Sequence, residues 1–193
     1  MYPKYYIGPM TKNVVDSIIE FTIETNNKIG LIPSRRQVEW DGGYVNNWTT
    51  KEFANYSNRL VLKRDHSGPG QGYMDDNGYR SLEEDCKYFN LIHIDPWKKF
   101  PDYKEGLKWT ADMINFCYER NPLLEYEIGT EEAIRKFEWY ELDNLLKDLS
   151  LILKPKIFNQ IKYLVIQSGT SLKENTNTGE YDQTKLLQMV ERE

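Results

Sequence analysis

Histidine is nearly absent from this chain: His66 and His93 are the only two in 193 residues. A metal centre built on three or four imidazoles is therefore excluded, and any metal would have to lean on carboxylates. Cysteine is equally scarce. Cys86 and Cys117 lack the short spacings of a zinc module and fall in helical patterns, so reduced, partly buried thiols in a cytoplasmic protein are expected. No apolar run approaches the roughly 20 residues of a membrane span. The opening MYPKYYIGP lacks the form of a signal peptide. With no block of Lys and Arg and a net charge of −5, non-specific nucleic-acid binding is not expected. The mean hydropathy of −0.71 is low for a globular chain, but aromatics at 13% supply bulky core pieces. A single α/β domain over residues 1–193 is the expectation.

What the chain does contain is concentrated in LVLKRDHSGPGQG, residues 60–72. Three apolar residues read as a short buried strand. Lys63, Arg64, Asp65 and His66 follow without a spacer, and then a turn rich in Gly and Pro. Such a strand-to-loop transition is where α/β proteins present reactive groups. An acid beside an imidazole can move protons or bind a metal. The plainer reading is a solvated Asp-His pair in an ordinary turn.

The pattern around this stretch repeats. Strands are read near residues 5–7, 29–32, 60–62, 91–94, 123–128 and 163–166, each followed by polar residues and a helix. Thr11 caps the first helix, and Thr49 or Thr50 the second. Ser81 with Glu84 forms a capping box, a long helix spans about 103–120, and 131–153 is helical in two pieces. A polar loop precedes a closing helix at 183–192. Alternating β and α elements predict a parallel sheet whose polar strand ends converge on one face. Six strands leave two architectures: an incomplete (β/α)8 barrel of TIM type, about six units long, or an open parallel α/β sheet.

The segments SRRQVEWDGGY, LVLKRDHSGPGQ, LIHIDPW and LEYEIGTEE, in that order, resemble the tagatose-bisphosphate aldolase family of the so-called non-catalytic type. Those proteins are (β/α)8 barrels related to class II, metal-dependent aldolases. The matching positions are Gln37, Gly42 and Gly43, then Asp65, His66, Gly68 and Pro69, then His93 and Asp95, then Glu127, Gly129, Thr130 and Glu131. The resemblance implies carbon–carbon lyase or related enediolate chemistry on a phosphorylated or nucleotide-linked sugar. Asp65 would be the acid or base, and His66 a metal ligand with Glu127 near the ion. Asp95 would orient the substrate or the His66 ring. Class II enzymes use three histidines and this chain has two, so a divalent ion would be Mg²⁺ or Mn²⁺ rather than tightly held Zn²⁺. The alternative implied is a non-catalytic subunit, in a homo- or hetero-oligomer, that stabilises a catalytic partner.

Arg35, Arg36 and Gln37, with glycines Gly68 and Gly70, form a candidate substrate site. Guanidinium forks and exposed backbone N–H groups suit phosphate. Gln167 and Thr170, at the end of the last strand, complete the set. His93 lies within an apolar strand, where a satisfied core histidine is the plainer reading.

Overall fold

The computed structural model describes residues 3–173 and 176–190. Thr11 opens the first helix, α1 (Lys12–Thr25), by accepting a hydrogen bond from the Val14 N–H, and Asn26 closes it in a left-handed conformation. This helix links β1 (Tyr6–Ile7) to β2 (Gly30–Leu31). Thr49 and Glu52 form a capping box on α2 (Thr50–Tyr56), which precedes β3 (Val61–Ser67). Then follow α3 (Tyr79–Tyr88), β4 (Leu91–Ile94), α4 (Tyr103–Arg120), β5 (Glu125–Ile128), α5 (Trp139–Ile152), α6 (Pro155–Phe158) and β6 (Ile161–Leu164).

The six strands form one parallel sheet in the order β1-β2-β3-β4-β5-β6. Neighbours in sequence are neighbours in space, with no reversal of strand order. The helices follow the same sequence, α2 against α3, α3 against α4, and α4 against α5. They form a single layer over one face of the sheet. In β5 the apolar residues Tyr126 and Ile128 are buried, whereas Glu125 and Glu127 on the alternate face are half-buried. Among the described residues β1 and β6 each pair on one side only, so the sheet is not closed.

The sheet is nonetheless strongly curled. Lys63 on β3 places its ammonium 5.6 Å from the Tyr6 ring on β1 and 5.4 Å from the Tyr163 ring on β6. In a flat sheet β3 and β6 would stand about 14 Å apart. No helix among the described residues is long and apolar enough to cross a membrane.

Four local expectations are corrected. The strand at 60–62 runs on through the polar cluster to Ser67. It can do so because Arg64, fully buried, is neutralised by Asp85 at 2.7 and 2.9 Å, and donates to the carbonyls of Pro33, Ser34 and Val38. Ser81 does not cap α3. Gly78 occupies that position, and the buried Ser81 hydroxyl donates instead to Glu39 at 2.6 Å. Residues 131–138 form no α-helix, because Gln167 holds that segment in an irregular path. The polar loop after β6 contains an antiparallel hairpin, β7 (Thr170–Lys173) with β8 (Thr176–Gly179), before α7 (Gln183–Val190). The end of the closing helix, residues 191–193, lies outside the described residues.

Candidate active site

The carboxyl ends of β3, β4 and β5 meet around His66. Pairing between β3 and β4 shifts register between Arg64 and Ser67, and His66 sits in that irregularity with φ of 43°. A positive φ in a residue bearing a Cβ is sterically costly, and strain of this kind gathers at functional sites.

The His66 ring is held in place by Asp95. Nδ1 lies 2.6 Å from Asp95 Oδ2, and that carboxylate is fully buried. It also accepts from Gln71 Nε2 at 3.1 Å, the Thr130 hydroxyl at 3.0 Å and the Trp97 N–H at 3.2 Å. With three other donors on Asp95, the His66 Nδ1 proton points at the carboxylate and leaves Nε2 open. Burial disfavours charge on the ring, but Asp95 outweighs it and raises the His66 pKa above its usual value.

His93 is anchored in the same way from the other side. Its Nε2 donates to the Gly129 carbonyl at 3.1 Å, and in the neutral ring Nδ1 accepts from the His66 backbone N–H at 3.3 Å. The two open ring nitrogens, His66 Nε2 and His93 Nδ1, each lie 3.7 Å from one atom, Asp65 Oδ1. Burial works against charge on His93, yet Asp65, Glu127 and Asp95 push its pKa up to about 9. Burial likewise opposes charge on Asp65, but His93, His66 and Lys63 hold it below the ordinary carboxylate range.

These three donors fit a divalent cation. Asp65, His66 and His93 offer ligand atoms within 4.8 Å of one another. Donors about 2.1 Å from a tetrahedral ion stand roughly 3.4 Å apart, close to the spacing here. Both imidazoles already carry the acceptor on their far nitrogen that metal-binding histidines need.

Glu127, expected near the ion, forms an ion pair with Lys63 at 2.5 Å and stands 3.8 Å from His93 Nδ1. The arrangement expected of Arg35 with the glycine loop exists, but an internal anion fills it. Asp76 takes both arms of Arg35 at 2.9 and 2.6 Å and the N–H groups of Gly70 and Gly78, while Arg35 also holds Glu39 and the Gly68 carbonyl. Gln37 is buried, accepting from the Ser34 N–H and donating to the Pro9 carbonyl. Gln167 donates to the carbonyls of Thr130 and Arg135 and accepts from the Phe137 N–H. Thr170 begins the hairpin, its hydroxyl 3.3 Å from that of Ser168.

Arg36 does reach the site. It lines a cavity of about 260 Å³ with Ser34, His66, Gln71, Lys98, Glu131 and Ile134. Gln71 and Lys98 were not expected there, nor was His93 expected to turn a nitrogen toward Asp65. Parity supplied a signal for His93: it pairs in register with Glu127, so the two share a face of the sheet with Lys63 and Asp65.

No family model matches the chain, and no curated protein sequence does. Among solved structures it is similar to the crystal structure of a probable tagatose 6 phosphate kinase from Sinorhizobium meliloti 1021, with a TM-score of 0.75 and 15% identity. The match covers 97% of this chain and 55% of that one, so the chain spans about half the length of this structural neighbour. At that identity the likeness is one of fold.

Proposed function

We propose that the sheet is part of a (β/α)8 barrel and that its strand ends carry a metal-assisted site for enediolate chemistry on a phosphorylated sugar, as in carbon–carbon lyases and related isomerases. The unreversed strand order and the curl around Lys63 support the barrel. The observation that carries the chemistry is the convergence of His66 Nε2 and His93 Nδ1 on Asp65 Oδ1, each at 3.7 Å.

In this reading His66, His93 and Asp65 Oδ1 would hold a divalent ion, which would supply Lewis-acid stabilisation of negative charge at a substrate carbonyl. Asp95 and the Gly129 carbonyl keep both rings turned toward that point. Asp65 is ionised, because His93, His66 and Lys63 outweigh its burial. It accepts the proton from a substrate hydroxyl or from the carbon beside the carbonyl. Gln71 and Thr130 hold the Asp95 carboxylate in place, so that His66 stays in one tautomer.

The test combines metal titration with proton exchange. Calorimetry with Mn²⁺ and Zn²⁺ should give about one ion per chain for the wild type, and weak or no binding for His66→Ala. A ketose phosphate in D₂O should lose its α-proton signal when protein and metal are both present. Asp65→Asn should slow this exchange by about 10²–10⁴-fold. A metal-loaded wild type that promotes no exchange on any ketose phosphate overturns the enzymatic reading.

Strands β1 and β6 each have a strand neighbour on one side only among the described residues, which favours a second reading, that of an aldolase-like subunit completed by a catalytic partner. Such a subunit would assemble equally well with Asp65→Asn, and would show no exchange alone.

A further inference from the structure

The cavity beside His66 is bipolar. Glu131 lies at one side, with Oε1 4.0 Å from His66 Nε2. Arg36 and Lys98 line the same cavity. Both cations are exposed, and neither side chain has a hydrogen-bond or ion-pair partner among the described residues. Elsewhere the chain neutralises its cations near the site with care: Arg35 with Glu39 and Asp76, Arg64 with Asp85, Lys63 with Glu127. Arg36 and Lys98 are the exception. Burial lowers the Lys98 pKa and the nearby Arg36 charge lowers it further, against the pull of Asp95. Two like charges held close together, without a counter-ion from the chain, are what a bound anion would relieve.

The ligand's size is bounded as well. Small-molecule pockets run about 300–1,000 Å³, and this one holds about 260 Å³. That suits a small phosphate monoester and leaves little room for a nucleotide.

We infer that Arg36 and Lys98 form the subsite for the phosphate of a small phosphorylated polyol or ketose, whose carbon chain runs toward His66 and Glu131. This rests on the reading of the site given above, and it narrows the substrate class to free sugar phosphates, setting nucleotide-linked sugars aside. The guanidinium takes two phosphate oxygens as a fork, and the ammonium takes the third as a point charge. Arg35, the neighbour in sequence, plays no part, because Asp76 occupies it.

The test is calorimetry on metal-free protein in EDTA, with inorganic phosphate, glycerol 1-phosphate and glycerol as probes. Wild type should bind both phosphates and not glycerol. Arg36→Gln and Lys98→Gln should each weaken glycerol 1-phosphate about tenfold, and the double variant more. Lys51→Gln, an exposed lysine on α2, should match wild type. Circular dichroism checks that each variant is folded, which the lack of partners at both positions leads us to expect. Equal affinity in wild type and double variant, or no phosphate binding by wild type, overturns the subsite. Because no divalent ion is present, the outcome is separate from the metal reading. Phosphate binding that depends on Arg36 and Lys98, together with absent metal uptake, would sink the proposed chemistry and leave the subsite standing. Metal uptake without such phosphate binding would do the reverse.

Discussion

The ammonium of Lys63 lies 5.4 Å from the Tyr163 ring, although their strands, β3 and β6, are three positions apart in the sheet. The curl that brings them together also sets Lys63 against Glu127, one strand nearer, at 2.5 Å. The concave face of this sheet is thus held by charge and aromatic rings, and its convex face by apolar packing against helices together with the buried Arg64–Asp85 pair.

Removing one partner of that pair should be costly. Lys63→Met leaves Glu127 only 15% exposed and without its cation. Urea denaturation should show a loss of about 3 kcal/mol. The double variant Lys63→Met/Glu127→Gln should recover most of it, since no charge is then stranded. A double variant no more stable than the single one would place the stabilisation in the rings of Tyr6 and Tyr163 rather than in the ion pair.

The parallel order and most helix positions were legible because they rest on local rules. Thr11 and Thr49 cap as their side chains dictate, and Asn121-Pro122 stops α4 where expected. The site was legible in part. Asp65 and His66 are adjacent in sequence, and Asp95 follows the next strand. The role of Arg35 was not, because Asp76, which occupies it, lies 41 residues away. Lys98 lacked any pattern of its own, and it matters only because the loops after β2 and β4 bring it beside Arg36 and His66. Gly78 took over a cap because Ser81 is drawn to Glu39, 42 residues back. Side-chain pairs at such separations leave no period in the sequence.

Acid should expose the Asp76 contribution. Burial raises its pKa, but Arg35 and the Gly78 and Gly70 N–H groups outweigh it, so the folded value lies below the ordinary one of about 3.9. A depressed folded pKa stabilises the fold above the unfolded value, and the stabilisation is lost as pH falls through the folded one. Asp76→Asn should therefore cost about 1 kcal/mol at pH 7, a modest figure because the carboxylate is 30% exposed. The variant's stability should also fall less steeply than that of wild type below about pH 4. Thermal melts from pH 2.5 to 7 measure both, and parallel curves would show that Arg35 does not depend on Asp76.

Two glycines of one loop should respond differently to alanine. Gly70 has φ of 69° with open space where a Cβ would stand. Gly70→Ala should cost only about 1 kcal/mol of backbone strain. Gly68, at φ of 153°, would put a Cβ 2.5 Å from the Asp95 carbonyl oxygen. Gly68→Ala should cost more, about 3 kcal/mol, and should shift the His66 imidazole resonances, because Asp95 carries that ring. Equal costs would mean that the Asp95 backbone yields freely.

The strain at His66 makes the least ordinary expectation. Within a strand, glycine is usually less stable than alanine by roughly 0.5–1 kcal/mol. At φ of 43° the order should invert. His66→Gly and His66→Ala both forfeit the 2.6 Å contact with Asp95, which keeps its bonds from Gln71, Thr130 and Trp97. Lost side-chain contacts are therefore nearly the same in the two, and the remaining difference is the backbone. His66→Gly should be more stable than His66→Ala by about 1 kcal/mol in urea denaturation. If the proposed metal site holds, both variants should bind Mn²⁺ more weakly than wild type. The usual order, alanine above glycine, would mean that the bulge between Arg64 and Ser67 relaxes once the ring is gone. The positive φ would then be a consequence of the Asp95 contact and not a fixed feature of the strand.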